Sequence, residues 1–196
     1  MCGLFGFIGS KIDVGLATDA ALLAETRGPH AFGFAWRGDN ALEILRYPDR
    51  FSNHKDSLAR VAGTNVLIGL CRLSTSGTPK DNQNNQPVVI DDNLLVHNGN
   101  VHTFKRIFQD YNYTPTTACD SEALLLLSLK TDVSHAVATV GAHSPLAAAF
   151  LFPDSLVLAA YNHPLYLHPT QHGTYFCSRR MTPHATLLRT IKVFPL

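Results

Sequence analysis

The chain has 196 residues, 45% of them hydrophobic and 16% charged, which excludes a disordered protein and suits one domain spanning 1–196 with a sizeable buried core. Its formal net charge is +1 with no Lys/Arg block, so no electrostatic footprint for nucleic acid or an anionic membrane is present. No apolar run approaches the ~20 residues that span a bilayer, and no basic stretch opens a signal peptide, so a cytoplasmic location is expected.

In chain order, "CGLFGFIG" reads as a first strand whose glycines permit close backbone approach. "LATDAALLAETRG" places Leu16, Ala20, Leu23 and Ala24 on one helical face that ends near Gly28. "AFGFAWRGDNALEILRYP" predicts two strands joined around "RGDN", and "NHKDSLARVAG" a short helix stopped by Gly63. "NVLIGLCRL" is a buried strand, followed by the polar loop "STSGTPKDNQNNQP", long enough to suggest a functional role. "VVIDDNLLVHNGN" predicts a hairpin around Asp91-Asp92 that ends in a tight Asn-Gly turn. "VHTFKRIFQDY", "DSEALLLLSLK" and "SHAVATVG" have helical spacing, the last ending at Gly141. From Leu146 the chain returns to strands in "LAAAFLF", "SLVLAAY", "PLYLH" and "TYFC". Strands, then helices, then strands, without βαβ alternation, indicate an α+β fold with antiparallel sheets and no internal repeat.

The chemistry starts at Cys2. If Met1 is removed, Cys2 becomes the N-terminus and carries both a thiol nucleophile and its own base. A free α-amine has a reference pKa of about 7.7–8.0, well matched to neutral pH, whereas a free thiol near 8.5 is mostly protonated there. The alternative is a small residue that happens to open a strand. Acyl transfer also needs donors aimed at the developing oxyanion. In "HNGN", Asn98 supplies a side-chain amide and Gly99 a backbone N–H with no Cβ in the way, although Asn-Gly is equally an ordinary turn. Arg72 can fork onto a carboxylate, or can be a strand-end arginine reaching solvent. Asp120 can receive an ammonium, or can cap the helix that follows it. Cys71, Cys119 and Cys177 read as small core residues with free thiols, in no metal-binding spacing. The ten histidines are scattered, with His97 read as packed and His30 as part of a turn, and no metal site is expected.

Together, Cys2-Gly3, "RGPHAFG", "CRLSTSG", "NNQPVV", "LLVHNGN" and "CDSEALL" occur in the order and at intervals similar to those of class-II glutamine amidotransferase domains, the N-terminal-nucleophile glutaminases. The resemblance covers almost the whole chain and thins after Leu146. It implies a four-layer αββα sandwich of two antiparallel sheets in which the first strand delivers Cys2 as nucleophile. It implies Asn98 and Gly99 as the oxyanion hole, Arg72 on the α-carboxylate of glutamine and Asp120 on its α-ammonium. By the same resemblance, Thr75 and Ser76 line the pocket, the loop Gly77–Pro87 closes over glutamine, and Arg27 supports the nucleophile. No cofactor is implied.

The chain departs from the pattern at "RGPHAFG", where His30 and Ala31 replace an acid and a serine found in many members. The Gly-Pro-His version resembles the stand-alone branch of the family, which includes γ-glutamyl amide hydrolases. Synthase members continue into an acceptor domain, so the expected partner is a separate acceptor synthetase or transferase that takes the ammonia. Two other readings are a free-standing hydrolase of another γ-glutamyl amide, and an inactive binding or regulatory subunit. The joint presence of Cys2, Arg72, Asn98, Gly99 and Asp120 argues against the last.

Overall fold

Strand β1 (Gly3–Gly9) divides its side chains between two cores: Leu4 and Ile8 face one cluster, Phe5 and Phe7 another. This period-two alternation, repeated in strand after strand, generates the layers. A computed structural model of the chain describes residues 1–38, 41–74 and 78–196. After β1 come helix α1 (Val14–Glu25), strands β2 (Ala31–Arg37), β3 (Leu42–Tyr47), β4 (Val66–Arg72), β5 (Val88–Ile90) and β6 (Asn93–Asn98). Helices α2 (Phe104–Asp110), α3 (Ser121–Lys130) and α4 (Val133–Gly141) follow. Strands β7 (Leu146–Leu151), β8 (Ser155–Tyr161), β9 (Tyr166–Thr170), β10 (Gly173–Cys177), β11 (Thr186–Leu187) and β12 (Ile191–Pro195) complete the chain.

Seven strands form one sheet in the order β11-β9-β10-β1-β4-β2-β3, and five form a second in the order β12-β8-β7-β6-β5. Every pairing between these strands is antiparallel. Between the sheets, Leu4, Ile8, Val66, Ile68 and Leu70 pack against Leu94, Val96, Ala147, Ala149 and Leu158. On the outer face of the larger sheet, Phe5, Phe7, Phe34 and Leu67 meet the small residues Ala17, Ala20, Ala21 and Ala24 of α1. On the outer face of the smaller sheet, Leu95, Ala148 and Phe150 meet the leucines of α3 and Ala136, Val137 and Val140 of α4. The result is the four-layer αββα sandwich.

Most local expectations hold, with particular differences. Asp13 caps α1 by accepting from the Leu16 N–H at 3.1 Å, so the helix begins earlier than its apolar spacing suggests. The segment expected as a helix before Gly63 forms 3-10 turns at Phe51–Asn53 and Lys55–Val61 instead. Strands β2 and β3 pair as expected, while Asp39 and Asn40 of their turn lie outside the described residues. The terminal strands β11 and β12 went unanticipated; β12 is short and mostly exposed, so it carries no alternating apolar signal.

Candidate active site

The site lies at the end of the sandwich where β1 begins and β6 ends. Gly3 lets β1 pass directly over α1: a Cβ there would stand 2.2 Å from the Ala24 carbonyl oxygen. That close approach seats the neighbouring Cys2, which is partly buried. The Cys2 backbone N–H crosses from one sheet to the other and donates to Asn98 Oδ1 at 2.9 Å. The thiol lies 3.6 Å from the Leu73 carbonyl oxygen, and the Cys2 carbonyl accepts from Arg27 Nε at 3.0 Å. Arg27 Nη2 lies 3.4 Å from Met1 Sδ.

Burial pushes the Cys2 thiol pKa up, opposed by the positive N-terminus and Arg72, while Asp120 adds to the rise. Arg72 and Asp120 are thus within electrostatic reach of the sulfur. Asn98 is buried, and its Nδ2 has no hydrogen-bond partner among the described residues. An unpaired buried donor is unusual and calls for a function. Belonging to the same amide as the oxygen that receives the Cys2 N–H, it stands beside Cys2. Gly99 follows at φ +157°, and a Cβ there would meet His97 Nε2 at 2.6 Å and the Pro145 carbonyl at 2.8 Å.

Arg72 ends β4 with only 4% of its surface exposed, so it is not a strand-end arginine reaching solvent. Its Nη1 donates to Asn85 Oδ1 at 2.8 Å. Asp120 stands at the N-cap position of α3 but makes no capping bond with its side chain. Its Oδ2 instead accepts from the Val101 N–H at 2.6 Å, tying the bend after Asn98-Gly99 to the helix start. Thr75, Ser76 and Gly77 lie outside the described residues, so the pocket-lining pair and the first residue of the loop are left aside.

Sequence reasoning quoted "NNQPVV" as a block but missed what its polar residues do. Asn84, Asn85 and Gln86 are all buried. Asn84 Oδ1 accepts from the Ala118 N–H at 2.9 Å, two residues before Asp120. Asn85 holds Arg72 and is itself held by the Pro79 carbonyl through Nδ2 at 2.8 Å. Gln86 Nε2 donates to the His97 carbonyl at 3.0 Å and to Ser121 Oγ at 3.2 Å. Three adjacent amides therefore fix three separate parts of the site. The available cue was a run of amides in which no turn needs so many. His97, packed as expected, has its Nδ1 at 3.0 Å from Ser121 Oγ, and burial pulls its pKa down to about 4. His30 is exposed, and its Nδ1 accepts from the Ser74 N–H at 3.2 Å, two residues after Arg72.

The structure thus gathers Cys2, Arg27, Arg72, Asn98, Gly99 and Asp120. A thiol beside an unpaired amide donor is suited to attack on a carbonyl carbon, with the donor receiving the charge that develops on oxygen. Among the described residues, no helix is long and apolar enough to cross a membrane. No group of three or more His, Cys, Asp or Glu side chains among them could hold a metal ion.

No family model matches the chain. It is 23% identical over 209 residues to the glutamine–fructose-6-phosphate aminotransferase (isomerizing) of Gloeobacter violaceus, covering 98% of this chain and 34% of that protein. The chain therefore spans about a third of the length of this curated relative. Among solved structures, it is similar to the glutamine phosphoribosylpyrophosphate amidotransferase of B. subtilis, with a TM-score of 0.76, 18% identity, 99% of this chain covered and 49% of the other. It is also similar to a glutamine aminotransferase class-II domain protein of Silicibacter pomeroyi, with a TM-score of 0.67, 19% identity, and coverage of 99% and 95%. These structural likenesses carry the fold.

Proposed function

We propose that the chain is a class-II glutamine amidotransferase domain that hydrolyses the side-chain amide of glutamine and releases ammonia through a γ-glutamyl thioester on Cys2, a reading supported by its likeness to the aminotransferase and amidotransferase relatives. The observation that carries the reading is the Asn98 amide, with Oδ1 on the Cys2 backbone nitrogen and Nδ2 buried beside it without a partner among the described residues.

Removal of Met1 turns the Cys2 nitrogen from an amide into an amine, still held by Asn98 Oδ1. Burial keeps the thiol protonated, so the nucleophile needs a base close by, and the amine on the same residue supplies one. The amine takes the thiol proton and the thiolate attacks the γ-carboxamide carbon. Asn98 Nδ2 and the Gly99 N–H receive the oxyanion. The protonated amine returns its proton to the departing ammonia, and water then cleaves the thioester to give glutamate and the free thiol. Arg72, fixed by Asn85, grips the α-carboxylate, and Asp120 takes the α-ammonium. Arg27 holds the Cys2 carbonyl and so orients the amine. Ammonia is mostly protonated at neutral pH and lost to water, so an acceptor enzyme receives it nearby.

One observation favours a second substrate. His30, replacing an acid of the family pattern, is bonded to Ser74, two residues after Arg72, where it can select a different γ-glutamyl amide.

The test pairs intact mass with glutamate release from glutamine. A mass lacking one methionine, with release abolished by Cys2→Ala, is the expected result. Active protein that retains Met1 would sink the mechanism. A processed chain that ignores glutamine but cleaves another γ-glutamyl amide would favour the second substrate.

A further inference from the structure

In the larger sheet β4, β1, β10 and β9 are consecutive, so Cys2 has two flanks. Arg72 at the end of β4 lies on one. On the other, Tyr166 at the start of β9 pairs with Cys177 at the end of β10, and Arg179 and Arg180 follow directly. That flank opens into a cavity of about 350 Å³ lined by Asn162, His163, Tyr166, Leu188 and Arg189. None of these residues takes part in the mechanism above.

The surroundings of this cavity are cationic. Arg189 lines it, and the Arg180 guanidinium lies over the Tyr166 ring at 5.4 Å. Burial and then repulsion from Arg179 lower the Arg27 pKa, and burial and then repulsion from Arg27 lower that of His163. Among the described residues, no carboxylate forms an ion pair with Arg27, Arg179, Arg180 or Arg189. Their ion pairs are His54–Asp49, Arg60–Glu43 and Arg106–Asp110. General basicity does not account for this, because the chain has 15 acids to 16 lysines and arginines. Like charges gathered around a concave surface, without an internal counter-charge, focus a field that attracts an anion.

We infer that this cavity binds a small phosphate-bearing molecule, gripped by Arg189 and His163, with Arg27 on the side nearest Cys2. Phosphate fits because a compact dianion with several acceptor oxygens can meet a guanidinium fork and an imidazole donor together. The inference rests on the glutaminase reading for its role: a ligand held there lies on the β10–β9 side of Cys2, away from Arg72, where it can take the ammonia released.

Isothermal titration calorimetry of the whole chain tests this at low salt and without glutamine, using inorganic phosphate and glucose 6-phosphate as probes and glucose as the uncharged comparison. The expected result is saturable binding of at least one phosphate probe, none of glucose, and affinity lowered about tenfold or more by Arg189→Gln and by His163→Gln. Arg60→Gln, on a different surface, should leave binding unchanged. If His163→Gln fails to fold, the exposed Arg189→Gln decides. No saturable binding, or equal affinity in wild type and Arg189→Gln, would overturn the inference. Phosphate binding in a protein that hydrolyses no γ-glutamyl amide would overturn the functional reading alone, and glutamine hydrolysis without phosphate binding would overturn this inference alone.

Discussion

At the scale of single residues, Asn98 and Asn85 separate two kinds of contribution. In the proposed mechanism, Asn98→Ala removes the donor that meets the charge developing on oxygen. It should lower kcat for glutamate release by about 10²–10³-fold, with a smaller change in KM. Asn85→Ala leaves Arg72 present but removes the carbonyl that aims it. Its expected effect is a KM for glutamine raised several-fold, with kcat within about twofold. Equal losses in kcat and KM-limited rate would instead place Arg72 in the transition state. Asn98 was legible because an amide beside a glycine in "HNGN" has recognisable chemistry. Asn85 was not, because a loop amide acquires its role only from the arginine it meets 13 residues away.

At the scale of elements, the start of α3 is held by one buried carboxylate. Glu122 is fully buried and accepts from the Thr116 and Thr117 N–H groups at 2.8 and 2.9 Å, from both threonine hydroxyls, and from the Tyr113 hydroxyl. Burial alone would raise its pKa, but these hydrogen bonds outweigh it and hold the carboxyl below its ordinary value. Burial and then the same contact push Tyr113 up to about 12. Because the folded pKa is depressed, the stabilisation is present above the ordinary carboxylate pKa and lost as pH falls through the folded value. Glu122→Gln should cost about 2 kcal/mol in urea unfolding at pH 7, and the difference from wild type should shrink on acidification. Helicity of α3 followed from its leucines, whereas its anchoring depended on a loop folding back by six residues to reach Glu122.

For the whole molecule, the decisive contact spans both sheets: Cys2 and Asn98 are 96 residues apart in sequence and come from β1's start and β6's end. His97, just behind, is buried in the smaller sheet, with its pKa lowered to about 4 by burial, opposed by Asp120 and reinforced by His163. A lowered histidine pKa means the unfolded chain binds the proton more readily between about 4 and 6.5. Stability should therefore be fully present above pH 6.5 and decline as pH falls toward 4. Chemical unfolding across that range should show the slope, and His97→Gln should flatten it. Gly99→Ala, whose Cβ would press on His97 and Pro145, should reduce both stability and turnover.

The sequence by itself determined most of the elements and their order, the 3-10 turns before Gly63 and the terminal strands β11 and β12 excepted, because alternation and helical spacing are local properties that survive without the fold. It also placed a cysteine directly behind Met1 and a set of motifs in an order that resembles the amidotransferase pattern, which were enough to nominate Cys2, Arg72, Asn98, Gly99 and Asp120. Only the tertiary structure decided that Arg72 is buried against Asn85, that Asp120 holds Val101 rather than capping its helix with its side chain, and that Asn98 keeps one donor unpaired among the described residues. It alone gathered Arg27, Arg179, Arg180 and Arg189 around one flank of Cys2. Each of these depends on which distant polar atoms are excluded from water together, and packing between layers fixes that where periodicity within a segment cannot.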